Sequence, residues 1–107
     1  MHGAKLIELM SLSQEEFSAR FRKLPVKRAK RRGPLRNVAV ALGNWGSAEA
    51  VPVLAQALDD AEPLIRGHAA WALGRIGTEA ALQVLQARDE VEEDVWVREE
   101  IALALSS

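Results

Sequence analysis

Apolar residues along this chain fall mostly at helical spacing, and the spacing repeats. Leu35, Val38, Leu42 and Trp45 stand at i, i+3, i+7 and i+10, one face of a helix that starts at Gly33-Pro34, with Pro34 suited to its first position. Gly46 ends that helix, Ser47 can cap the next, and Val51, Leu54 and Leu58 mark the second helix's inward face. The pattern then recurs 31 positions on. Between 38–54 and 69–85, eight of seventeen aligned residues are identical, including Ala-Leu-Gly at 41–43 and 72–74 and the glycines at 46 and 77. Ile65, Ala69, Ala72, Leu73 and Ile76 line the second unit's first helix, Gly77-Thr78 stops it and caps its successor, and Leu82 and Leu85 continue inward. A third first-helix spans Trp96–Leu105. Ahead of the repeats lie a short apolar helix at Ala4–Met10 and a helix from 14 to about 23. The second is opened by the capping box Ser13-Gln14-Glu15-Glu16 and stopped by Pro25.

No segment alternates with a period of two, so the chain reads as all-α. A period near 31 with a glycine closing each unit is the signature of an α-solenoid of antiparallel helix pairs, here of about five to seven helices. The expected divisions are 1–33 for the leading helices and a basic linker, then repeats at 34–60, 61–90 and a partial unit at 91–107. Gly43 and Gly74 sit inside helices at matched positions, where each costs about 1 kcal/mol against Ala. Either a bend or a close backbone approach would explain them.

Charge changes the picture through its placement. The net charge is −1, but residues 1–36 hold ten Lys and Arg against three acids, and 37–107 hold four against twelve. From Phe17 to Arg36 there is no acid, and nine of the fourteen basic residues lie there. Such a run is either a solvated loop or a grip on a polyanion. Its density and its junction with a helix start favour the second: free amides at a helix N-terminus and flanking guanidinium groups both bind phosphate. Arg66 and Arg75, on the second unit's first helix, could extend the patch. An anionic membrane competes poorly, because the run lacks an interleaved apolar face.

Candidate catalysis is thin. There is no cysteine, which removes disulfides, thiolate nucleophiles and thiolate metal sites. His68 has no nucleophile elbow near it and reads as a hydrogen-bonding or surface histidine. Glu90-Val91-Glu92-Glu93-Asp94 lacks the alternating ligands and central glycine of a calcium loop and reads as a solvated turn. Trp45, Trp71 and Trp96 read as packing residues, with Trp45 the one placed to stack a base. With no signal peptide and no membrane-length apolar run, a soluble cytoplasmic chain is expected.

The run FRKLPVKRAKRRG at 21–33, joined to LRNVAVALGN at 35–44, resembles the C-terminal region of the bacterial epoxyqueuosine reductases, with their pattern F-x-x-[ST]-P-[IV]-K-R followed by R-N-x-x-[IV]-A-L-G-N. Leu24 stands where that family has Ser or Thr. PLIRGHAAWALGRIG at 63–77 is similar to the HEAT-like repeat that ends the family's chain. The resemblance implies a HEAT-like solenoid that binds the anticodon stem-loop of tRNA and is not catalytic by itself. It implies phosphate contacts from Lys27, Arg28, Lys30, Arg31, Arg32, Arg36 and Asn37. Cobalamin and [4Fe–4S] clusters, which the family uses to reduce epoxyqueuosine, would belong to N-terminal domains outside this segment. Those catalytic domains would be its partner, and a monomer is expected. The competing expectation is a HEAT-repeat scaffold whose basic segment docks an acidic protein.

Overall fold

A computed structural model describes residues 3–21 and 32–106. Seven α-helices and one short 3₁₀ helix account for them, and no strand occurs among the described residues. The helices are α1 (Gly3–Met10), α2 (Gln14–Phe21), α3 (Arg32–Trp45), α4 (Val51–Ala57), α5 (Pro63–Ile76), α6 (Glu79–Asp89) and α7 (Val95–Ser106), with the 3₁₀ turn Ala48–Ala50 leading into α4.

Helices α3, α5 and α7 lie side by side as one layer, with α5 in the middle and packed on both neighbours. Helices α4 and α6 form the second layer, α1 covers α3 and α4, and α7 also meets α6. The result is a slab two helices thick, 42 × 33 × 15 Å. Its core is a continuous row of Leu35, Leu42, Leu54, Leu58, Ile65, Leu73, Leu85, Val97 and Ile101, all buried.

The predicted caps and glycine stops hold, while the stop at Pro25 lies outside the described residues. In the capping box, Ser13 N–H donates to Glu16 Oε1 at 2.8 Å and Glu16 N–H donates to Ser13 Oγ at 3.1 Å. Ser47 Oγ accepts from Glu49 N–H, and Thr78 Oγ1 accepts from Ala81 N–H at 3.1 Å. Gly77 closes α5 in the left-handed region, with φ 67°, and its N–H donates to the Leu73 carbonyl at 2.9 Å. Thr78→Ala removes one cap bond from a helix whose first turn is otherwise unsatisfied. A loss of about 1 kcal/mol, or about 5 °C in melting temperature, is expected in a thermal unfolding scan.

Three expectations are corrected. Helix α3 begins at Arg32, so Pro34 occupies its third position rather than its first. Trp45 is 36% exposed rather than inward with Leu35, Val38 and Leu42. At ~100° per residue its position has rotated about 80° from Leu35, to the margin of the buried stripe. Glu92, placed by its acidic neighbours in a solvated turn, is 4% exposed.

Gly43 and Gly74 mark close approach. A Cβ on Gly43 would lie 2.7 Å from Trp71 Cζ3 and 3.0 Å from Ala72 Cα. A Cβ on Gly74 would lie 2.6 Å from Ala104 Cβ and 2.9 Å from Ala104 Cα. Each first-helix thus uses a glycine to seat the Ala of the next one, so the 31-residue identity is a packing identity. Trp96 uses Gly67 in a related way, its ring resting where a side chain at 67 would be.

Candidate nucleic-acid interface

Four of the seven expected phosphate contacts, Lys27, Arg28, Lys30 and Arg31, lie outside the described residues. The other three stand together on the first two turns of α3. Arg32, Arg36 and Asn37 are all exposed, held there because Leu35, Val38 and Ala39 occupy the buried side of the same turns. Arg32 Nη1 is 3.8 Å from Glu62 Oε1, a loose pair between side chains that are both largely in solvent. Arg36 makes no ion pair among the described residues. Two cations at the start of a helix, directed away from the core, can hold phosphate oxygens without desolvation.

Other basic residues are committed elsewhere. Arg20 on α2 donates to Glu8 Oε2 on α1 at 2.7 Å, and that guanidinium holds the Glu8 carboxyl below its ordinary range. Arg66 does not extend the patch. Its Nε and Nη2 each donate to Glu92, both at 2.9 Å, and its Nη1 donates to the Asp60 carbonyl at 2.8 Å. Arg88 Nε also donates to Glu92 at 3.0 Å, and Arg88 Nη1 donates to Asp59 Oδ1 at 3.2 Å. The Asp94 N–H donates to Glu92 Oε2 at 3.0 Å, the oxygen that Arg66 Nη2 also reaches. Burial opposes the charge on Glu92, but hydrogen bonds from Arg66, from the Asp94 backbone and from Arg88 outweigh it, lowering its pKa from 4.5 to about 2. This cluster ties the α4–α5 turn, α5, α6 and the α6–α7 turn together. Sequence reasoning missed it, although one signal was present. Arg66 sits on an almost wholly apolar helix, between Ile65 and Gly67, where a lone charge needs a buried counter-charge.

Arg75 is exposed on the last turn of α5, with its guanidinium carbon 5.7 Å from the centre of the Trp71 ring. His68 Nδ1–H donates to the Leu64 carbonyl at 2.9 Å, and its ring centre is 5.4 Å from that of Trp96. It has no acid or nucleophile partner among the described residues. No group of three or more His, Cys, Asp or Glu residues is placed to hold a metal ion among the described residues. Nor is any described helix long and apolar enough to cross a membrane.

Comparison with known proteins places this geometry. An uncharacterized protein from the gldA 3′ region of Geobacillus stearothermophilus is 36% identical over 98 residues, which cover 91% of this chain and 45% of that protein. Epoxyqueuosine reductase of Bacillus subtilis is 34% identical over 94 residues, covering 87% of this chain and 24% of the enzyme. A crystal structure of epoxyqueuosine reductase with an epoxyqueuosine-modified tRNA-Tyr stem loop superposes with a TM-score of 0.85 at 32% identity, over 94% of this chain and 27% of that one. The chain spans about a quarter of the length of these reductases and under half of the Geobacillus protein. The resemblance drawn from residues 21–44 and 63–77 is therefore borne out by sequence and by fold. A family model described as HEAT repeats matches residues 33–106, the whole stack from α3 to α7, and the chain belongs to the HEAT repeat family.

Proposed function

We propose that this chain is the tRNA-binding HEAT-repeat portion of an epoxyqueuosine reductase. In this reading it grips the backbone of the anticodon stem-loop through Lys27, Arg28, Lys30, Arg31, Arg32, Arg36 and Asn37, and it performs no chemistry alone. The observation that carries the reading is the 0.85 superposition, over 94% of the chain, on a reductase solved with a tRNA stem loop. The exposed Arg32 and Arg36 supply the chemistry such a role needs. Phosphate contacts give affinity and orientation while reading little sequence. Choice of the reacting base would lie with other parts of the parent protein.

The parent's cobalamin and [4Fe–4S] clusters do not fit the donor set of this chain. It has no cysteine to bind iron, and its two histidines are scattered at 2 and 68. Those cofactors would be held by residues outside these 107.

Charge reversal of Lys30, Arg31 and Arg32 to Glu tests the reading. Affinity for an anticodon stem-loop RNA, measured by filter binding at low salt, is expected to fall by an order of magnitude or more. The slope of log K against log salt should flatten by roughly 0.7–0.9 for each phosphate no longer neutralised. No affinity for RNA, or equal affinity in the variant, would overturn it. A stoichiometric protein partner that survives nuclease treatment, with no RNA affinity, would assign the basic segment to an acidic protein instead.

A further inference from the structure

Helices α5 and α7 meet closely at Gly74 and Ala104, and beside that contact opens a groove of about 460 Å³. Trp71, Gly74 and Arg75 line it from α5, and Glu100, Leu103 and Ala104 line it from α7. Because Gly74 and Ala104 are small, the cleft between the two helices stays open. Its edges carry the Trp71–Arg75 pair, the Leu103 side chain at 65% exposure, and the Glu100 carboxylate.

The groove shares a face with the exposed start of α3. Asn37, Val40 and Asn44 on α3 stand one period before His68, Trp71 and Arg75 on α5, so the two sets form adjacent rows on the same layer. Position 67, the repeat match of Arg36, precedes Arg75 by two turns and a little more, about 12 Å along the helix axis. One strand can therefore bridge the cations of α3 and the groove.

The lining suits a nucleobase better than a phosphate. The Trp71 indole and the Arg75 guanidinium, whose carbon is 5.7 Å from the ring centre, are both groups on which an unpaired base can stack, the main source of affinity in single-strand sites. A carboxylate opposite them repels phosphate but accepts from an exocyclic amino group such as that of cytosine. We propose that this groove takes one unpaired base of the bound RNA, stacked against Trp71 and Arg75, with its amino group donating to Glu100. The proposal rests on the RNA-binding reading above and adds a preference to it. Cytosine should bind better than uracil, which carries a carbonyl oxygen in place of the amino group.

Fluorescence anisotropy of the 107-residue chain with short oligocytidine and oligouridine strands, and with the anticodon stem-loop, tests this. Oligocytidine should bind the more tightly. Trp71→Ala and Arg75→Glu should each weaken binding to oligocytidine and to the stem-loop about tenfold or more, while Trp71→Tyr retains most of it. Glu100→Ala, which removes the acceptor, should remove the preference for cytosine without weakening oligouridine. Arg75 is exposed, so its variant stays informative even where Trp71→Ala, which uncovers Gly43, lowers stability. If the stem-loop binds and the Lys30, Arg31 and Arg32 reversal abolishes binding, but the Trp71 and Arg75 variants bind as wild type, the groove is excluded and the phosphate reading stands. If Glu100→Ala keeps the wild-type preference, the amino contact is wrong. If no RNA binds the chain, both readings fall.

Discussion

Replacing Glu92 with Gln or Ala is expected to lower stability by about 3–5 kcal/mol, as read by chemical or thermal unfolding. The side chain itself has no exposure, and those of Arg66 and Arg88 retain only 13% and 20%. Removing the carboxylate leaves two largely buried guanidinium groups facing each other with no negative charge between them. A domain of this size has ~5–15 kcal/mol in all, so the loss is a large fraction. The same carboxylate predicts a pH dependence. Its pKa is 4.5 when free and about 2 when folded, so the folded state favours the charged form. That contribution, about 3 kcal/mol, is fully present above pH 4.5 and fades as pH falls from there toward 2. Wild type should therefore lose stability across that window. The Glu92→Gln chain should lose less, and the gap between them should narrow with acid. A gap independent of pH would mean that Glu92 stabilises by packing rather than by charge.

Gly74→Val should be comparably damaging, about 3 kcal/mol, through a different cause. The new Cβ would fall 2.9 Å from Ala104 Cα, and backbone cannot swing aside as a side-chain end can. Helices α5 and α7 would have to separate, loosening the packing of Leu73, Val97 and Ile101 below. Gly67 offers the internal comparison. There the three nearest atoms all belong to the ring of Trp96, which is already 37% exposed and can rotate outward. Gly67→Ala should accordingly be much milder than Gly74→Val in the same melting experiment. Equal losses would mean that the Trp96 ring yields no more readily than the Ala104 backbone; helix propensity alone would make both substitutions gains, since Gly is the poorer helix former.

Much of this fold was legible because its rules are local or periodic. The stops at Gly46 and Gly77, the caps at Ser13, Ser47 and Thr78, and the buried stripe of each first-helix all follow from spacing within a few residues. The matched glycines at 43 and 74 pointed to a constraint whose nature needed the neighbouring helix, since the atom in the way belongs to Ala72 or Ala104. Glu92 was misread because its fate depends on Arg66, 26 residues earlier, and not on the acids beside it. Arg66 was misread for the same reason, as a surface cation when it is an internal one. The candidate interface was legible as charge density. Its polarity along the slab, with cations at the start of α3 and the Trp71–Arg75 cation–π contact at the end of α5, depends on how the repeats stack.

The Arg66–Glu92–Arg88–Asp59 network bears on how this array comes apart. Repeat proteins can be described as a row of units, each with its own stability plus a coupling to its neighbour, and weak coupling lets the end units fray one at a time. Here one carboxylate is clamped by cations from two helices and both cations reach back to the α4–α5 turn, so the last units share a latch. Amide exchange in α5, α6 and α7 should then be governed by a single opening event, with one common protection factor and no gradient toward the C-terminal helix.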